Sequence, residues 1–245
     1  MSQHRFDDEL LQLSRVPRPE IRLVKRTEVH GLRLGVFASS FNPITTAHVA
    51  LIDKATTAFS LDHVLALAGV SNADKQAYDY PLDLRLEMLD LALGSAPNVS
   101  IGISSTAFFV DMIDPIARTF PSGVSPYFIV GFDTFTRILD FESLYLARYD
   151  RAFSDRCAAL DYLLTASHLI VAARAGKGKR EISEIVAREP RVPSDRVLFL
   201  DFPPDLAERS ATEVRQRVRA GLEISGLVSP AVEDFIRAHG LYSDS

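Results

Sequence analysis

The chain has 245 residues, of which 47% are apolar and 24% are charged, as is ordinary for a globular protein with a large buried core. The formal net charge of -5 disfavours a nucleic-acid-binding protein, because such proteins usually carry net or strongly clustered positive charge. No apolar run approaches the ~20 residues that a membrane-spanning helix needs. The polar start MSQHRFDDEL has no signal-peptide hydrophobic segment, so we expect a cytoplasmic protein without a membrane partner.

The chain is predicted to contain an N-terminal arm and one domain. Residues 1–30 precede the first strand of the domain and are interpreted as a peripheral arm or a short edge element. Residues 31–245 are predicted to form a single domain. The single cysteine, Cys157, cannot form an internal disulfide and has no second thiol with which to build a zinc site.

Short apolar runs alternate with segments whose apolar residues recur at three- and four-residue spacing, as they do after Pro81. Continuous apolar strands separated by amphipathic helices indicate a parallel sheet with helices on both faces. The sequence therefore predicts an α/β protein with a doubly wound sheet. The predicted strands are LRLGVF from Leu32, HVLALAG from His63, VSIGI from Val99, YFIVG from Tyr127, LIVAA from Leu169 and VLFL from Val197.

Two connecting segments are less regular than the rest. Residues 142–166 are predicted to be helical and lengthen the stretch between two strands. The AGKGKR segment, Ala175 to Arg180, is predicted to be a flexible basic loop, because charge runs of this kind usually mark a solvated surface.

The stretch SSFNPITTAH, Ser39 to His48, lies where the first strand of the domain is followed by an amphipathic helix. A turn at the carboxyl end of a parallel strand exposes N–H groups, and the first N–H groups of the next helix add partial positive charge. Thr45 contributes a hydroxyl and His48 an imidazole. This arrangement predicts a nucleotide phosphate site. The alternative is an ordinary strand, turn and helix in which His48 caps the helix or packs at the surface.

The segment ERSATEVRQRV, from Glu208, predicts a second group of anion ligands. Ser210 is a favourable N-cap, Thr212 falls in the first turn, and Arg215 follows on the same side of the helix. Such a segment offers hydroxyls, backbone N–H groups and a guanidinium to one anion. The alternative is an ordinary capped surface helix with solvated arginines.

These segments resemble the two signatures of the nucleotidylyltransferase superfamily. Ser40 to His48 resembles the first signature, (T/H)xGH, and its wording SFNPIT is similar to the nicotinamide and nicotinate mononucleotide adenylyltransferases. The segment from Glu208 resembles the second, often ISSTxIR. The closing LVSPAVEDFIRAHGLY, Leu227 to Tyr242, is similar to the LVPxxVxxYIxxxxLY ending of the bacterial enzymes. The matching residues of the second signature are Ser210, Thr212 and Arg215.

The resemblance spans about residues 32–242 and implies a Rossmann-like sheet and an activity. The implied reaction is attack by the 5′-phosphate of nicotinamide or nicotinate mononucleotide on the α-phosphorus of ATP, which gives the dinucleotide and pyrophosphate. Mg²⁺ would be held mainly by the ATP phosphates and water, so no metal ligand is assigned within the chain. The alternatives are another nucleotidylyltransferase, acting on phosphopantetheine or a phosphorylated alcohol, and a nucleotide-binding regulator without turnover. A homo-oligomer is compatible with the sequence.

The resemblance also implies roles for individual residues. GFDT, Gly131 to Thr134, resembles a GxD segment that contacts a ribose, and AARAG, Ala172 to Gly176, resembles a strand-end RxG near the adenylate. The implied catalytic residues are His48, Thr45 and Arg215. The implied ATP ligands are Ser40, Phe41, Asn42, His48, Gly131, Asp133, Arg174, Ser210, Thr212 and Arg215. The mononucleotide is assigned to Ser39, Ser40, Lys75, Arg85 and Phe135.

The chain departs from the family pattern at several positions. Ser39 stands where related enzymes commonly have glycine, and Ala47 replaces the glycine of the first signature. Arg209 and Ala211 replace an apolar residue and a serine of the second. The chain also contains no tryptophan, whereas many of these enzymes stack the pyridine ring on one. The aromatic residues considered as its replacement are Phe135, Phe141 and Tyr145.

Overall fold

A computed structural model describes residues 18–70, 80–173 and 177–243. In these residues seven β-strands form one sheet, and every strand predicted from the sequence is present. An additional strand, β1, comes from the segment interpreted as an arm or edge element. The strands are β1 (Ile21–Lys25), β2 (Arg33–Ser39), β3 (His63–Gly69), β4 (Val99–Ser104), β5 (Ser125–Gly131), β6 (His168–Ala172) and β7 (Val197–Leu200).

The helices of the described residues connect these strands. None of them combines the length and the apolar character that crossing a bilayer requires. Short 3₁₀ helices cover Leu146–Arg148 and Ser194–Arg196. The α-helices are α1 (Thr46–Phe59), α2 (Leu82–Leu93), α3 (Phe109–Thr119), α4 (Phe132–Leu139), α5 (Arg156–Ala166), α6 (Lys179–Arg188), α7 (Pro204–Ala207), α8 (Ala211–Arg219) and α9 (Pro230–Ala238).

The structure corrects both predictions about the irregular segments. The helix predicted over residues 142–166 begins only at Arg156, where the side chain of Asp155 accepts the N–H of Ala158 and caps α5. The loop predicted from Ala175 to Arg180 ends earlier than expected, because α6 begins at Lys179. Ala175 and Gly176 lie outside the described residues.

The sheet has the strand order β1-β4-β3-β2-β5-β6-β7. β1 runs antiparallel to β4, and all other neighbouring pairs are parallel. From β2 the chain builds the sheet first towards β4 and then towards β7, so the strand order reverses between β2 and β5. A crevice forms at such a point, outside the carboxyl ends of the strands. The doubly wound, Rossmann-like fold is confirmed, with an antiparallel edge strand added.

Both faces of the sheet are covered by apolar cores, because successive side chains of a strand point to opposite faces. On β2, Val36 packs in one core with Leu163 of α5, and the next residue, Phe37, packs in the other with Ile52 of α1. All four side chains are buried. The buried faces leave the carboxyl edge of the sheet as the place where polar groups meet.

Candidate active site

A cleft with an empty volume of about 1160 Å³ lies at the carboxyl ends of β2, β5 and β6. Its polar walls come from the start of α1, the start of α4 and the start of α8. The two segments in which the sequence predicts anion ligands therefore meet in one place. The predicted site residues that line the cleft are Ser39, Ser40, His48, Gly131, Asp133, Ser210, Thr212 and Arg215.

The imidazole of His48 is held by the cap of α1. The main-chain N–H of Thr45 donates to Nδ1 of His48 at 2.9 Å, and the His48 N–H lies 3.4 Å from Oγ1 of Thr45. The ring also packs against Phe37 and Phe41, with centroids 5.7 Å and 5.6 Å away. Because Nδ1 accepts a main-chain N–H, the neutral ring carries its proton on Nε2 and can donate a hydrogen bond from there.

Thr45 is not among the described residues that line the cleft, and its predicted contact with phosphate stays a prediction. Its side chain is buried, and Oγ1 accepts the N–H of His48 and lies 3.0 Å from the ring Nδ1. The hydroxyl is therefore used by the helix cap. In this structure Thr45 holds the imidazole of His48 at the cleft.

The loop after β2 is also held in place by the side chains of two of its own residues, Phe41 and Asn42. Phe41 is fully buried at a left-handed φ of 46°, so its ring belongs to the core. Oδ1 of Asn42 accepts a hydrogen bond from Oη of Tyr242 at 2.8 Å, and its main-chain carbonyl accepts one from Arg215 at 2.5 Å. These two side chains therefore fix the loop, and the assignment of Phe41 and Asn42 to ATP binding stays a prediction.

The start of α8 carries the second group of predicted residues. Oγ of Ser210 accepts the N–H of Glu213 at 3.1 Å, which makes Ser210 the predicted N-cap. Nη2 of Arg215 donates to Oγ1 of Thr212 at 3.1 Å, while its Nη1 reaches the loop after β2. The guanidinium therefore ties the two signature segments together at the edge of the cleft.

One part of the cleft wall was not predicted from the sequence. An apolar side is formed by Phe202, Leu206 and Ala207, which follow β7 at the carboxyl edge of the sheet. The sequence held one signal for it: the segment directly follows a predicted strand, and the carboxyl ends of parallel strands border the cleft. Arg209 lines the cleft as well, and its Nη1 donates to the main-chain carbonyl of Gly226 at 3.0 Å.

A second cavity, of about 1000 Å³, adjoins the cleft. Its inner wall is aromatic: the ring of Phe108 meets Tyr145 at 5.8 Å and Tyr149 at 5.2 Å. Burial raises the pKa of Tyr149 to about 12, so its hydroxyl stays protonated at neutral pH. Of these rings, only that of Tyr145 was considered from the sequence. The residues that line both cavities are Ala38, Ser39, Ser40 and Thr134.

The guanidinium of Arg85 contacts the start of the loop after β2 and lines neither cavity. The side chain is buried, and it donates to the main-chain carbonyls of Ser40 at 2.6 Å and Gly69 at 3.2 Å. These carbonyls stand at the carboxyl ends of β2 and β3. The predicted contact between Arg85 and a mononucleotide is therefore corrected to a role in holding the two strand ends.

Phe135 cannot stack on a ligand, because it is fully buried in the core and lines neither cavity. The exposed alternative, Phe141, has the guanidinium of Arg156 over its ring at 5.3 Å. Lys75 and Arg174 lie outside the described residues.

Within the part of the chain that the structure describes, no group of three or more His, Cys, Asp or Glu side chains is arranged to hold a metal ion. Asp133 is the only carboxylate among the described residues that line the cleft. The other polar side chains that line the cleft are hydroxyls, an imidazole and guanidinium groups, which suit a polyanion.

A model of cytidylyltransferase-like proteins matches residues 36–217 of the chain. A Dehalococcoides mccartyi protein named "Probable nicotinate-nucleotide adenylyltransferase" is 26% identical over 219 residues, which cover 86% of this chain and 97% of the relative. A protein of the same name from Moorella thermoacetica is 27% identical over 218 residues, with 86% and 91% covered.

Solved structures give the same fold. Plasmodium falciparum nicotinic acid mononucleotide adenylyltransferase has a TM-score of 0.61 in its complex with NaAD and 0.63 in its complex with APC. The sequence identities are 17% and 15%, and each comparison covers 86% of this chain and 98% of the other. Because the matched residues run from β2 to α8 and so include both signature segments, the chain belongs to the cytidylyltransferase-like family.

Proposed function

We propose that the protein is an adenylyltransferase that joins ATP to nicotinate or nicotinamide mononucleotide and releases pyrophosphate. The observation that carries the proposal is the convergence of His48 and Arg215, from distant segments, on one cleft. A second cavity opens beside it at Ser39 and Ser40. Two neighbouring cavities suit two substrates that react where the cavities join.

In the proposal, the triphosphate of ATP occupies the polar part of the cleft. The first turns of α1 and α8 both border it, and the N-terminus of a helix attracts anions. Thr212 and Arg215 bind the β- and γ-phosphates, and Nε2 of His48 donates to the α-phosphate and to the departing pyrophosphate. Gly131 and Asp133, at the end of β5, contact the ribose.

The proposed reaction needs no catalytic base. The 5′-phosphate of the mononucleotide is a nucleophile near neutral pH, and it forms a bond to the α-phosphorus of ATP. The bond from that phosphorus to the bridging oxygen breaks, and pyrophosphate leaves with the electron pair. The protein aligns the two phosphates and stabilises the charge on their oxygens.

The second cavity is proposed to hold the mononucleotide. Its aromatic wall of Phe108, Tyr145 and Tyr149 suits a flat pyridine ring, because such rings stack on aromatic faces. A phosphate extending from that ring towards Ser39 and Ser40 would reach the cleft. The names of the curated relatives favour the nicotinate form of the acceptor.

Mg²⁺ forms part of the proposal and would enter bound to ATP. The described lining of the cleft supplies Asp133 as its only carboxylate, which fits an ion that is held by phosphates and water. The ion would neutralise part of the triphosphate charge.

Purified protein given ATP and Mg²⁺ with one acceptor at a time tests the proposal. The acceptors are nicotinate mononucleotide, nicotinamide mononucleotide, phosphopantetheine and a phosphorylated alcohol, and both pyrophosphate and dinucleotide are measured. We expect release of pyrophosphate with a pyridine mononucleotide. Release with only one of the other acceptors, or nucleotide binding without release under any acceptor, would overturn the proposal.

A further inference from the structure

We propose that Arg209 is a further ligand of the polyphosphate in the cleft and that it compensates for the hydroxyl absent at Ala211. The inference rests on the proposed function for the identity of the nucleotide. Arg209 adds a cationic contact to the part of the triphosphate that leaves as pyrophosphate.

Arg209 and Ala211 flank the N-cap Ser210, and all three line the cleft. The chain thus combines two departures from the ISSTxIR pattern at one place: a serine hydroxyl is lost, and a guanidinium is gained where the pattern has an apolar residue. The side chain of Arg209 is 33% exposed, so it is neither sealed in the core nor extended into solvent. A charged donor therefore stands next to the position of the missing neutral one.

The contacts of Arg209 with the described residues leave capacity for an anion. Nη1 donates to the carbonyl of Gly226 at 3.0 Å and lies 3.4 Å from Oγ1 of Thr46. Nη2 is 4.0 Å from the carboxylate of Asp205, whose own side chain is 73% exposed. A guanidinium has five N–H donors, and an exposed pair at this distance contributes little. Most of the positive charge of Arg209 remains available to the cleft.

The same contacts place the guanidinium between two helix N-termini. Thr46 is the first residue of α1, and Arg209 directly precedes the N-cap of α8. Arg215 approaches the cleft from one turn further along α8. Two guanidinium groups near one polyphosphate give charge-assisted, bidentate contacts, which are among the strongest that proteins make with phosphate.

A purely structural tie between α1 and Gly226 is the competing explanation, and two variants separate the two roles. Arg209→Gln removes the charge and keeps an amide donor, which lies two bonds closer to the main chain than Nη1 of the arginine. Arg209→Lys keeps the charge but loses the fork of donors. Ligation of polyphosphate predicts that the lysine variant binds more tightly than the glutamine variant while both keep the same free energy of unfolding in urea, whereas a structural tie predicts that the loss of affinity follows a loss of that free energy.

Calorimetric titration of the full chain with pyrophosphate and with ATP, each with Mg²⁺ and without an acceptor, tests this inference. We expect Arg209→Gln to weaken binding of both probes about tenfold or more, and Arg209→Lys to weaken it by about threefold or less. Arg217→Gln is the matched control: this arginine lies on α8, the helix that follows Arg209, pairs with Glu213 at 3.0 Å and does not line the cleft. Unchanged binding by the control is expected.

Restoring the serine at position 211 tests the inference independently. In an Arg209→Ile background, Ala211→Ser returns both positions to the family pattern and should recover part of the lost affinity. Wild-type affinity in Arg209→Gln, equal losses in the glutamine and lysine variants, or no recovery with the serine would each overturn the inference. Because these titrations omit the acceptor, failure to form a dinucleotide overturns the proposed function alone.

Discussion

The hydroxyl of Tyr242 donates a hydrogen bond of 2.8 Å to Oδ1 of Asn42, so a residue near the C-terminus holds the loop that follows β2. The N–H of Tyr242 donates to Oη of Tyr80 at 2.7 Å, and these two rings meet at 4.4 Å. Burial raises the pKa of Tyr242, which keeps its hydroxyl a donor. Tyr242 thus supports one wall of the candidate site.

Replacement of this tyrosine should destabilise the protein. Tyr242→Phe leaves the buried Oδ1 of Asn42 without its donor, and we expect the free energy of unfolding in urea to fall by about 1–3 kcal/mol. Tyr162→Phe is the control, because it removes an exposed hydrogen bond to Asp114. Equal losses in the two variants would contradict a supporting role for the buried contact.

His48→Ala should lower turnover by about two to three orders of magnitude, because one positioned donor to the reacting phosphates is lost. The fold should remain intact, as judged by circular dichroism, while the urea midpoint should fall because the buried N–H of Thr45 loses its acceptor on His48. His239→Ala, at an exposed position near the C-terminus, should leave turnover unchanged. Wild-type turnover in His48→Ala would remove this residue from the mechanism.

Thr45→Ala should affect stability and turnover together. The variant loses the N-cap of α1, which costs about 1 kcal/mol, and the imidazole of His48 loses its fixed orientation. Thr45→Ser keeps the hydroxyl and should restore both quantities. A loss of ATP affinity in Thr45→Ala with unchanged unfolding free energy would instead indicate direct contact with phosphate.

The buried ring of His63 predicts that acid destabilises the protein. Its Nε2 lies 2.9 Å from Oγ of Ser100, and burial, with a smaller contribution from His30, lowers its pKa below 6.5. The unfolded chain therefore binds the proton at a higher pH than the folded protein, so the free energy of unfolding falls as the pH decreases through about 6.5. His168 has a lowered pKa as well and acts in the same direction.

Urea unfolding at about pH 7 and about pH 5 measures this effect. We expect lower stability at the acidic pH and a smaller loss in His63→Gln, with part of the slope retained because of His168. An unaltered slope in His63→Gln would show that another group controls the acid response.

The strands and the meeting of the two signature segments could be predicted, because buried parallel strands are continuous apolar runs and their carboxyl ends share one edge. The absence of a helix over residues 142–155 could not be predicted, because the apolar residues there have helical spacing in the sequence. There, Oδ atoms of Asp140 accept the N–H groups of Leu144 and Tyr145, and Asp111 accepts that of Asp150. These carboxylates take main-chain donors that a helix would need.

Within the site, the sequence indicated which segments converge but not which side chains face the cleft. A threonine before a helix can bind a ligand or cap the helix, and only the geometry of Thr45 decides between these uses. The aromatic wall was missed because Phe108 and Tyr149 are distant in sequence and meet through tertiary packing. Phe135 was assigned wrongly to the mononucleotide, because its ring is buried in the core.

The hydrogen bonds from Arg85 to the carbonyls of Ser40 and Gly69 restrict the ends of β2 and β3 before any nucleotide binds. Because strand ends and loop are already fastened, little backbone entropy remains to be lost when a nucleotide arrives. We therefore expect the ends of β2 and β3 to keep their arrangement when a nucleotide binds, and a single kinetic phase in stopped-flow association would show this.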